Sequence, residues 1–516
     1  MRFAEASLKN SLISLIEPKV SLLLAKVSSF LAELDIKAYV VGGVIRDALL
    51  ERHTADIDIA VASDALEITP KVAAYLNGKY VMLDKVNRIG RVVLTDDGAP
   101  STKAQWELDF STLKGSIEQD LAQRDFTIDA MAINISQFGR DLRGVQLIDP
   151  FNGQDDLSQR MIRVVADTAF VSDAARLLRA VRLASELGFS IDKKTESLIR
   201  HHSSLIASVA GERVREELLQ LLAVSDAGQS LSYLDELGLL TALFPELSKT
   251  KGANQPKEHF WDVFEHSFKT VTAVDFLLRQ DAWEYVSKEV LASVPWSATL
   301  AHHFDQEVSS GSTRRLLLKL AALLHDIAKP QTKANIGGRI RFLGHDKEGA
   351  AIATNILERL RFSVKEVRLV EALVRHHLRP GQMSQDKLPS HRAIYRYFRD
   401  TGDAGIDILF LSLADHLATR GPNLILTHWQ EHTQMMEYVL SQHFEKESIA
   451  HPPKLVDGHD LINIFGLKPG PKIGELLEAA REAQASGEIT TREETLSFID
   501  RLLTSPPPSK REAEHA

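Results

Sequence analysis

Between Tyr39 and Ala62 the chain reads YVVGGVIRDALLERHTADIDIAVA, which asks for a strand, a tight turn, a helix and a second strand in that order. Successive side chains of a β-strand point to opposite faces, so Asp56 and Asp58 in Asp-Ile-Asp-Ile-Ala project from the same side. Two carboxylates so placed can bridge a pair of Mg²⁺ ions. One ion would activate a hydroxyl and the other would steady a triphosphate and its leaving pyrophosphate, as in in-line displacement at phosphorus. Gly42 and Gly43 follow the short apolar run Tyr39–Val41, where backbone without Cβ lets N–H groups approach phosphate oxygens. Arg46 and Asp47 then open the helix.

At 516 residues the chain exceeds one hydrophobic core, and roughly 100–200 residues per domain suggests three or four units. Its 25% charged and 44% hydrophobic residues are ordinary for a globular protein. The formal net charge of −9 does not suit indiscriminate nucleic-acid binding, so any RNA contact must come from local basic surface. There is no cysteine, which excludes disulfides and thiolate metal sites. The N-terminal stretch Ser11–Leu34 is apolar at helical spacing, but Glu17, Pro18, Lys19 and Lys26 make it too polar for a membrane span or signal peptide. A cytoplasmic location is expected, with no membrane partner.

Strand-like runs at Tyr39–Val41, Ile57–Ala62, Lys79–Leu83, Arg91–Leu94 and Trp106–Phe110 alternate with helical stretches, giving an α/β head up to about residue 165. Beyond it the pattern is helical, so the fold class is α+β. Expected divisions are a lead-in at 1–35, a head at 36–165, a neck and body at 166–250, a histidine-rich region at 251–450, a helical tail at 451–503 and a disordered end at 504–516. Pro295–Thr313, with His302, His303 and Gly311, reads as a loop within the histidine-rich region.

Asp109 in Trp-Glu-Leu-Asp-Phe is the expected third carboxylate, with Glu107 on the same strand face as its competitor. A third acid can hold the metal that lowers the pKa of an attacking hydroxyl. Arg124 in Gln123-Arg124-Asp125-Phe126-Thr127-Ile128-Asp129 is a candidate ribose or phosphate ligand, because its planar fork matches phosphate oxygens.

Taken in order, Gly-Gly-Val-Ile-Arg-Asp, Asp-Ile-Asp, Arg-Asp-Phe-Thr-Ile-Asp-Ala-Met-Ala, Asp149-Pro-Phe-Asn-Gly153 with Arg163, Ser172-Asp-Ala-Ala-Arg-Leu-Leu-Arg-Ala-Val-Arg182 and Glu212-Arg-Val-Arg-Glu-Glu217 resemble the motifs of class II tRNA nucleotidyltransferases and bacterial poly(A) polymerases. The resemblance runs through about residues 36–245. It implies a polymerase-β-like head, tRNA, CTP and ATP as partners, Mg²⁺ at Asp56 and Asp58, triphosphate and ribose contacts from Gly42, Gly43, Arg46 and Arg124, and a nucleotide-selecting helix. Asp173 and Arg176, three apart, would share a face of that helix, and Arg179 and Arg182 continue the stripe. A carboxylate accepts from the exocyclic amino group common to cytosine and adenine, while guanidinium donates to the neighbouring ring acceptor. UTP and GTP, with a carbonyl at that place, would be refused. The chain departs from the family at Ser172, where Glu is common, at Gln123, where Arg is usual, and at Asp129, where Asn is common. The resemblance also places a selectivity-controlling loop in Ala62–Lys79.

A second constellation begins near residue 255. His266, His325-Asp326 and Asp415 meet the minimal pattern of an HD-type metal-dependent phosphohydrolase, and His345 and His376 could complete a second metal position. Imidazole and carboxylate ligands suit Mn, Fe, Ni, Zn or Mg without choosing among them. The resemblance implies phosphatase or cyclic phosphodiesterase activity, or else a scaffold that holds tRNA. In the tail, Lys468 and Lys472 around a Gly-Pro turn are open to two readings, an RNA-backbone contact or a helical cap on the HD domain.

The reading that fits all of this is template-independent addition of C, C and A to a tRNA 3′ end. Poly(A) polymerase, or an enzyme adding only CC or only A, is the alternative on the same head. An HD phosphohydrolase whose head merely binds RNA is the alternative of another class.

Overall fold

The computed structural model describes residues 18–54, 56–95, 106–138, 145–279, 282–285, 287–309, 311–383, 388–445 and 453–504. The expected disorder after residue 504 and the lead-in before Pro18 lie outside them. The described chain separates into two compact units, one running to Val209 and including Glu236–Ala242, the other made of Ala210–Asp235 and everything from Leu243.

The first unit is built on a seven-stranded sheet. Its strands are β1 (Ala38–Val41), β2 (Asp56–Val61), β3 (Lys79–Asp84), β4 (Ile89–Leu94), β5 (Trp106–Thr112), β6 (Ala132–Asn134) and β7 (Leu147–Ile148), in the order β3-β4-β5-β2-β1-β6-β7. Only β2 and β5 run parallel. Alternation works as the sequence suggests: Ile57, Ile59, Leu108 and Phe110 are fully buried on one face, and the acids between them occupy the other. The first five strands fall at the expected places, while β6 and β7 are too short to carry a readable period. Ala62–Lys79 is mostly a helix, Ala65–Tyr75, and not the expected loop. Asp64 caps it by accepting from the Leu66 N–H, and Ile68 and Val72, four apart, bury one face.

The second unit is helical. Helices Val263–Leu277, Arg314–Leu324, Val364–His376 and Gly405–Arg420 pack on one another and form its centre. Lys319 and Asp275, both fully buried, form an ion pair there, and the Lys319 ammonium also donates to the carbonyls of Leu222 and Val224 at 2.6 and 3.2 Å. These bonds satisfy a buried cation that would otherwise be costly and tie the preceding helix Gly211–Ala223 to the bundle. Pro295–Thr313 differs from the expected loop: it contains a helix, Ala298–Asp305, and strands Glu307–Ser309 and Ser312–Thr313. Ser297 caps that helix at the Leu300 N–H, and Leu300 and Phe304 bury its i, i+4 face.

The tail helices Gly458–Phe465, Pro471–Ala485 and Arg492–Thr504 enclose their own small core of Leu461, Ala483 and Ile499. Glu478 and Glu482 then meet Arg396 and Arg399 of helix His391–Thr401 at 2.7–3.1 Å. Lys472 pairs with Glu475 at 3.2 Å. Among the described residues, no helix is long and apolar enough to cross a membrane.

Candidate active sites

In the head, strand register assembles the site. Asp56 lies beside Glu107 and Asp58 beside Asp109 across the parallel β2–β5 pair, and Arg91 lies opposite Asp109 on β4. Five charged side chains therefore share one face of three adjacent strands. Arg91 grips Asp109 with both ends of its fork, Nε to Oδ1 at 2.6 Å and Nη2 to Oδ2 at 2.7 Å. It also pairs with Glu107 and stands 3.9 Å from Asp56. The sequence reading did not single out Arg91, although carrying the acidic face one strand further would have reached it.

Burial pushes the Asp58 carboxyl up to about 6 against the opposing pull of Arg124. Asp56, whose side chain still reaches solvent, is raised by its partial shielding and by Asp109. These groups hold protons more tightly than ordinary carboxylates, first because burial disfavours their charged form and then because neighbouring carboxylates add to it. An all-oxygen donor set fits a hard ion such as Mg²⁺. Among the described residues, the groups of three or more metal-binding side chains whose ligand atoms lie within 4.8 Å of one another are both in the second unit.

Gly42 has φ 77°, and a Cβ there would come within 2.8 Å of Asp58 Oδ2 and 2.9 Å of Arg124 Nη1. Its glycine is needed twice over, for the left-handed backbone and for the closeness of the carboxylate and guanidinium. Its N–H donates to the Met131 carbonyl at 3.4 Å, so that group is engaged within the protein. Gly43 begins the helix Gly43–Leu49, which carries Arg46. Arg46 is buried and bound to Asp47 at 2.9 Å and Asp129 at 2.8 Å, apart from the carboxylate group. Asp129 thus has a partner of its own where the family commonly has Asn.

The selecting helix begins at Arg176 and runs to Leu187. Asp173 lies before it in extended backbone (φ −154°, ψ 104°), not on the helical face that its spacing suggested. Its carboxylate accepts from the Ala175 N–H at 3.1 Å, a local bond that competes with helix formation. Asp173 and Arg176 are nonetheless adjacent, at 4.0 Å. Arg176 donates to the Gln123 carbonyl at 2.8 Å and to Ser172 Oγ at 3.3 Å. The first contact uses backbone and is indifferent to the Gln123 side chain; the second gives Ser172 a direct part in holding Arg176. Arg179 pairs with Asp125 at 3.0 Å. Arg182 does not continue the stripe: it is buried and turned to Glu186 at 2.9 Å. Two steps of three residues leave it about 120° around the helix from Arg176.

The second site has two ligand groups, His266, His325 and Asp415, and Asp326, His345 and His377. His377, not His376, completes the second group. Both end the helix Val364–His376, but His377 is 3% exposed and turned inward, whereas His376 is half-buried and lies among Arg375 and Arg379. The sequence could not tell them apart because neighbours on a helix differ by a rotation that depends on where the buried face begins.

The ring orientations fit a metal. His325, His345 and His377 each place Nδ1 against the carbonyl three residues earlier, at Ala322 (2.9 Å), Phe342 (2.6 Å) and Val374 (2.7 Å). That bond keeps a proton on Nδ1 and aims Nε2 inward, so a metal would take the Nε2 position, on His325 by displacing the proton that Asp326 and Asp415 favour there. The Nε2 atoms of His266 and His325 converge to 3.3 Å, and so do those of His345 and His377. Asp326 stands between the pairs, 3.2 Å from His325 and 3.4 Å from His345. Lys329 approaches it to 2.5 Å. Burial opposes charge on His325, but Asp326 and Asp415 outweigh it and hold the imidazole up at about 10. Burial and charged His325 push His377 down to about 4.

Comparison with known proteins gives the family to which the head and the HD region belong. The Poly A polymerase head domain matches residues 38–163, a probable RNA and SrmB-binding site of polymerase A matches 188–250, and the HD domain matches 295–420. An A-adding tRNA nucleotidyltransferase of Deinococcus radiodurans is 34% identical over 92% of this chain and 97% of its own. This chain belongs to the tRNA nucleotidyltransferase family. Another member, a CC-adding tRNA nucleotidyltransferase of Thermus thermophilus, is 33% identical over 90% of this chain and 93% of its own. The CCA-adding enzyme of Geobacillus thermodenitrificans is 36% identical but matches 40% of this chain. A solved CCA-adding enzyme with CTP shares the fold at a TM-score of 0.63, covering 96% of this chain and 98% of that one at 21% identity. The family fold is thus a polymerase head followed by helical regions and an HD domain.

Proposed function

We propose that this nucleotidyltransferase extends the 3′ end of tRNA from CTP and ATP without a nucleic-acid template, completing C, C and A. The observation that carries the reading is the shared face of Asp56, Asp58 and Asp109 beside Gly42 and Arg124. A cytoplasmic location follows from such a substrate. Asp56 and Asp58 would hold Mg²⁺, with Asp109 as third ligand, and the bound ion would lower the pKa of the tRNA 3′ hydroxyl and neutralise phosphate charge. Asp109 is oriented by Arg91 and would help take the hydroxyl proton. Arg124, beside Asp58, supplies a fork for the triphosphate or ribose. Asp173 and Arg176 read the base edge, and Arg179, held by Asp125, adds positive charge beside them. Arg46, locked on Asp47 and Asp129, acts by fixing the glycine turn, and Arg182 by bracing the helix.

A second reading of the product is favoured by a specific observation: relatives matched along nearly the whole chain are named for adding A alone or CC alone. The deciding experiment offers tRNAs ending before the first C, after C, and after CC, with CTP and ATP singly and together, read at nucleotide resolution. Growth to CCA, dependent on Asp56 and Asp58, supports the main reading. Arrest at CC, or addition only to the CC-ended substrate, selects the second, and no incorporation would falsify both.

The six ligands of the second site support a metal-dependent phosphohydrolase activity there. Nothing in this chain's HD site lacks a ligand that the donor pattern calls for, which favours catalysis over a purely tRNA-holding role.

A further inference from the structure

The strands Lys333–Ile336 and Arg339–Phe342 form a two-stranded hairpin between Asp326 and His345 of the HD site. Its two-residue turn is Gly337-Gly338, with φ 58° and 75°, the backbone that lets a tight hairpin keep the natural twist of its strands. Residues 333–343 contain Lys333, Arg339 and Arg341 and no acid, in a chain whose net charge is −9. All three cations are exposed, and none of their side chains has a hydrogen bond or ion pair among the described residues.

Register sets the faces. Ala334 lies opposite Arg341 and Ile336 opposite Arg339, so the two guanidiniums rise from one side, roughly 7 Å apart along the strand. The hairpin is also anchored to the metal site. Its last residue, Phe342, accepts from His345 Nδ1 at 2.6 Å, and Lys329, the partner of Asp326, lies 5.5 Å from the centre of the Phe342 ring. One end of the hairpin therefore orients a metal ligand while the rest carries positive charge away from it.

We propose that this hairpin is a backbone guide and that the HD site acts on a phosphate at the end of an RNA strand, not on a free nucleotide. The proposal rests on the phosphohydrolase reading of that site. A mononucleotide places its one phosphate at the metal ligands and leaves Arg339 and Arg341 with nothing to bind. A strand supplies further phosphates at successive spacings, and guanidinium planes also stack on unpaired bases. In the reaction a water oxygen bonds to the terminal phosphorus, one ester P–O bond breaks, and the departing ribose oxygen takes the proton that water gives up.

The test uses the full chain loaded with Mn²⁺, a short RNA ending in a 2′,3′-cyclic phosphate, and the corresponding cyclic mononucleotide. Wild type should prefer the RNA. Arg339→Ala with Arg341→Ala should lower kcat/KM on RNA about tenfold through KM, leave the mononucleotide unchanged, and flatten the salt dependence of RNA binding by about one to two phosphate contacts. Equal losses on both substrates, or no loss, would overturn the proposal. Because the chain has no cysteine, Ala334→Cys gives a single site for a photo-crosslinker on the guanidinium face. Crosslinking to the RNA, competed by RNA and not by mononucleotide, supports the guide. Absence of a crosslink rejects it. If neither substrate is hydrolysed, the phosphohydrolase reading fails while the crosslink still decides what the hairpin binds.

Discussion

The head and the HD region each gather ligands for divalent ions, but they do so with opposite materials. The head mounts carboxylates on adjacent strands at an open sheet face, where Asp56 is largely exposed and Arg91 threads among the acids. The HD region mounts imidazoles and carboxylates at helix ends and helix interiors, and His266, His325 and Asp326 are at most 1% exposed. Strand pairing fixes the spacing of the head acids, and Arg91 holds the ends of Asp109 and Glu107 while the exposed end of Asp56 stays open to solvent. Helix packing and backbone carbonyls fix the HD rings to the atom. An open oxygen site suits an ion that arrives with a substrate's phosphates and leaves with them, whereas an enclosed nitrogen–oxygen site suits a resident ion.

Separation of the two chemistries is the sharpest test of this contrast. Asp58→Ala should lower nucleotide addition at least about a thousandfold, since metal stabilisation of several kcal/mol is lost and each 1.36 kcal/mol is tenfold. Phosphohydrolysis should remain within about twofold, and Asp326→Ala should show the reverse. Loss of both activities from either substitution would break the comparison. Next in size, His377→Ala should remove about one bound metal per chain and at least about tenfold of HD activity, with His376→Ala leaving both intact; metal content by elemental analysis decides between the neighbours.

The raised carboxyl of Asp58 gives the head a pH signature. A proton and a cation compete for it, so affinity falls as pH falls through about 6. Ionised Asp58 declines about tenfold between pH 7 and pH 5, and Mn²⁺ affinity at the head, followed by electron paramagnetic resonance in a Asp326→Ala background, should fall by about the same factor. An affinity flat across that interval would show that Asp58 is ionised throughout. The smallest effect concerns Arg91. Removing a partly exposed cation worth about 1 kcal/mol should tighten Mn²⁺ about fivefold in Arg91→Ala, while nucleotide addition slows because Asp109 loses its bidentate partner. Weaker Mn²⁺ binding would instead make Arg91 a support for the ion.

Legibility in the sequence follows the same division. The head acids could be read because strand periodicity is local: Asp56 and Asp58 must share a face whatever the rest of the chain does. Glu107 and Asp109 share a strand face for the same local reason, but their register against β2 depends on pairing across about fifty residues, and the place of Arg91 on the separate β4–β5 pairing. Arg182 and Asp173 misled because three-residue spacing is only an approximate helical period and because a side-chain-to-backbone bond can start a helix late. His376 and His377 were indistinguishable for want of the buried face. The helix at Ala65–Tyr75 and the one at Ala298–Asp305 were hidden by short apolar patterns whose caps, Asp64 and Ser297, were the available signals.

The three carbonyls behind His325, His345 and His377 make the HD site a mould cut in main chain. Side-chain ligands elsewhere can swing away when their ion departs; these rings are pinned by main-chain carbonyls, two at helix ends and, for His345, at the end of the hairpin strand. Emptying the site should therefore cost the protein its ion and not the arrangement of these three rings.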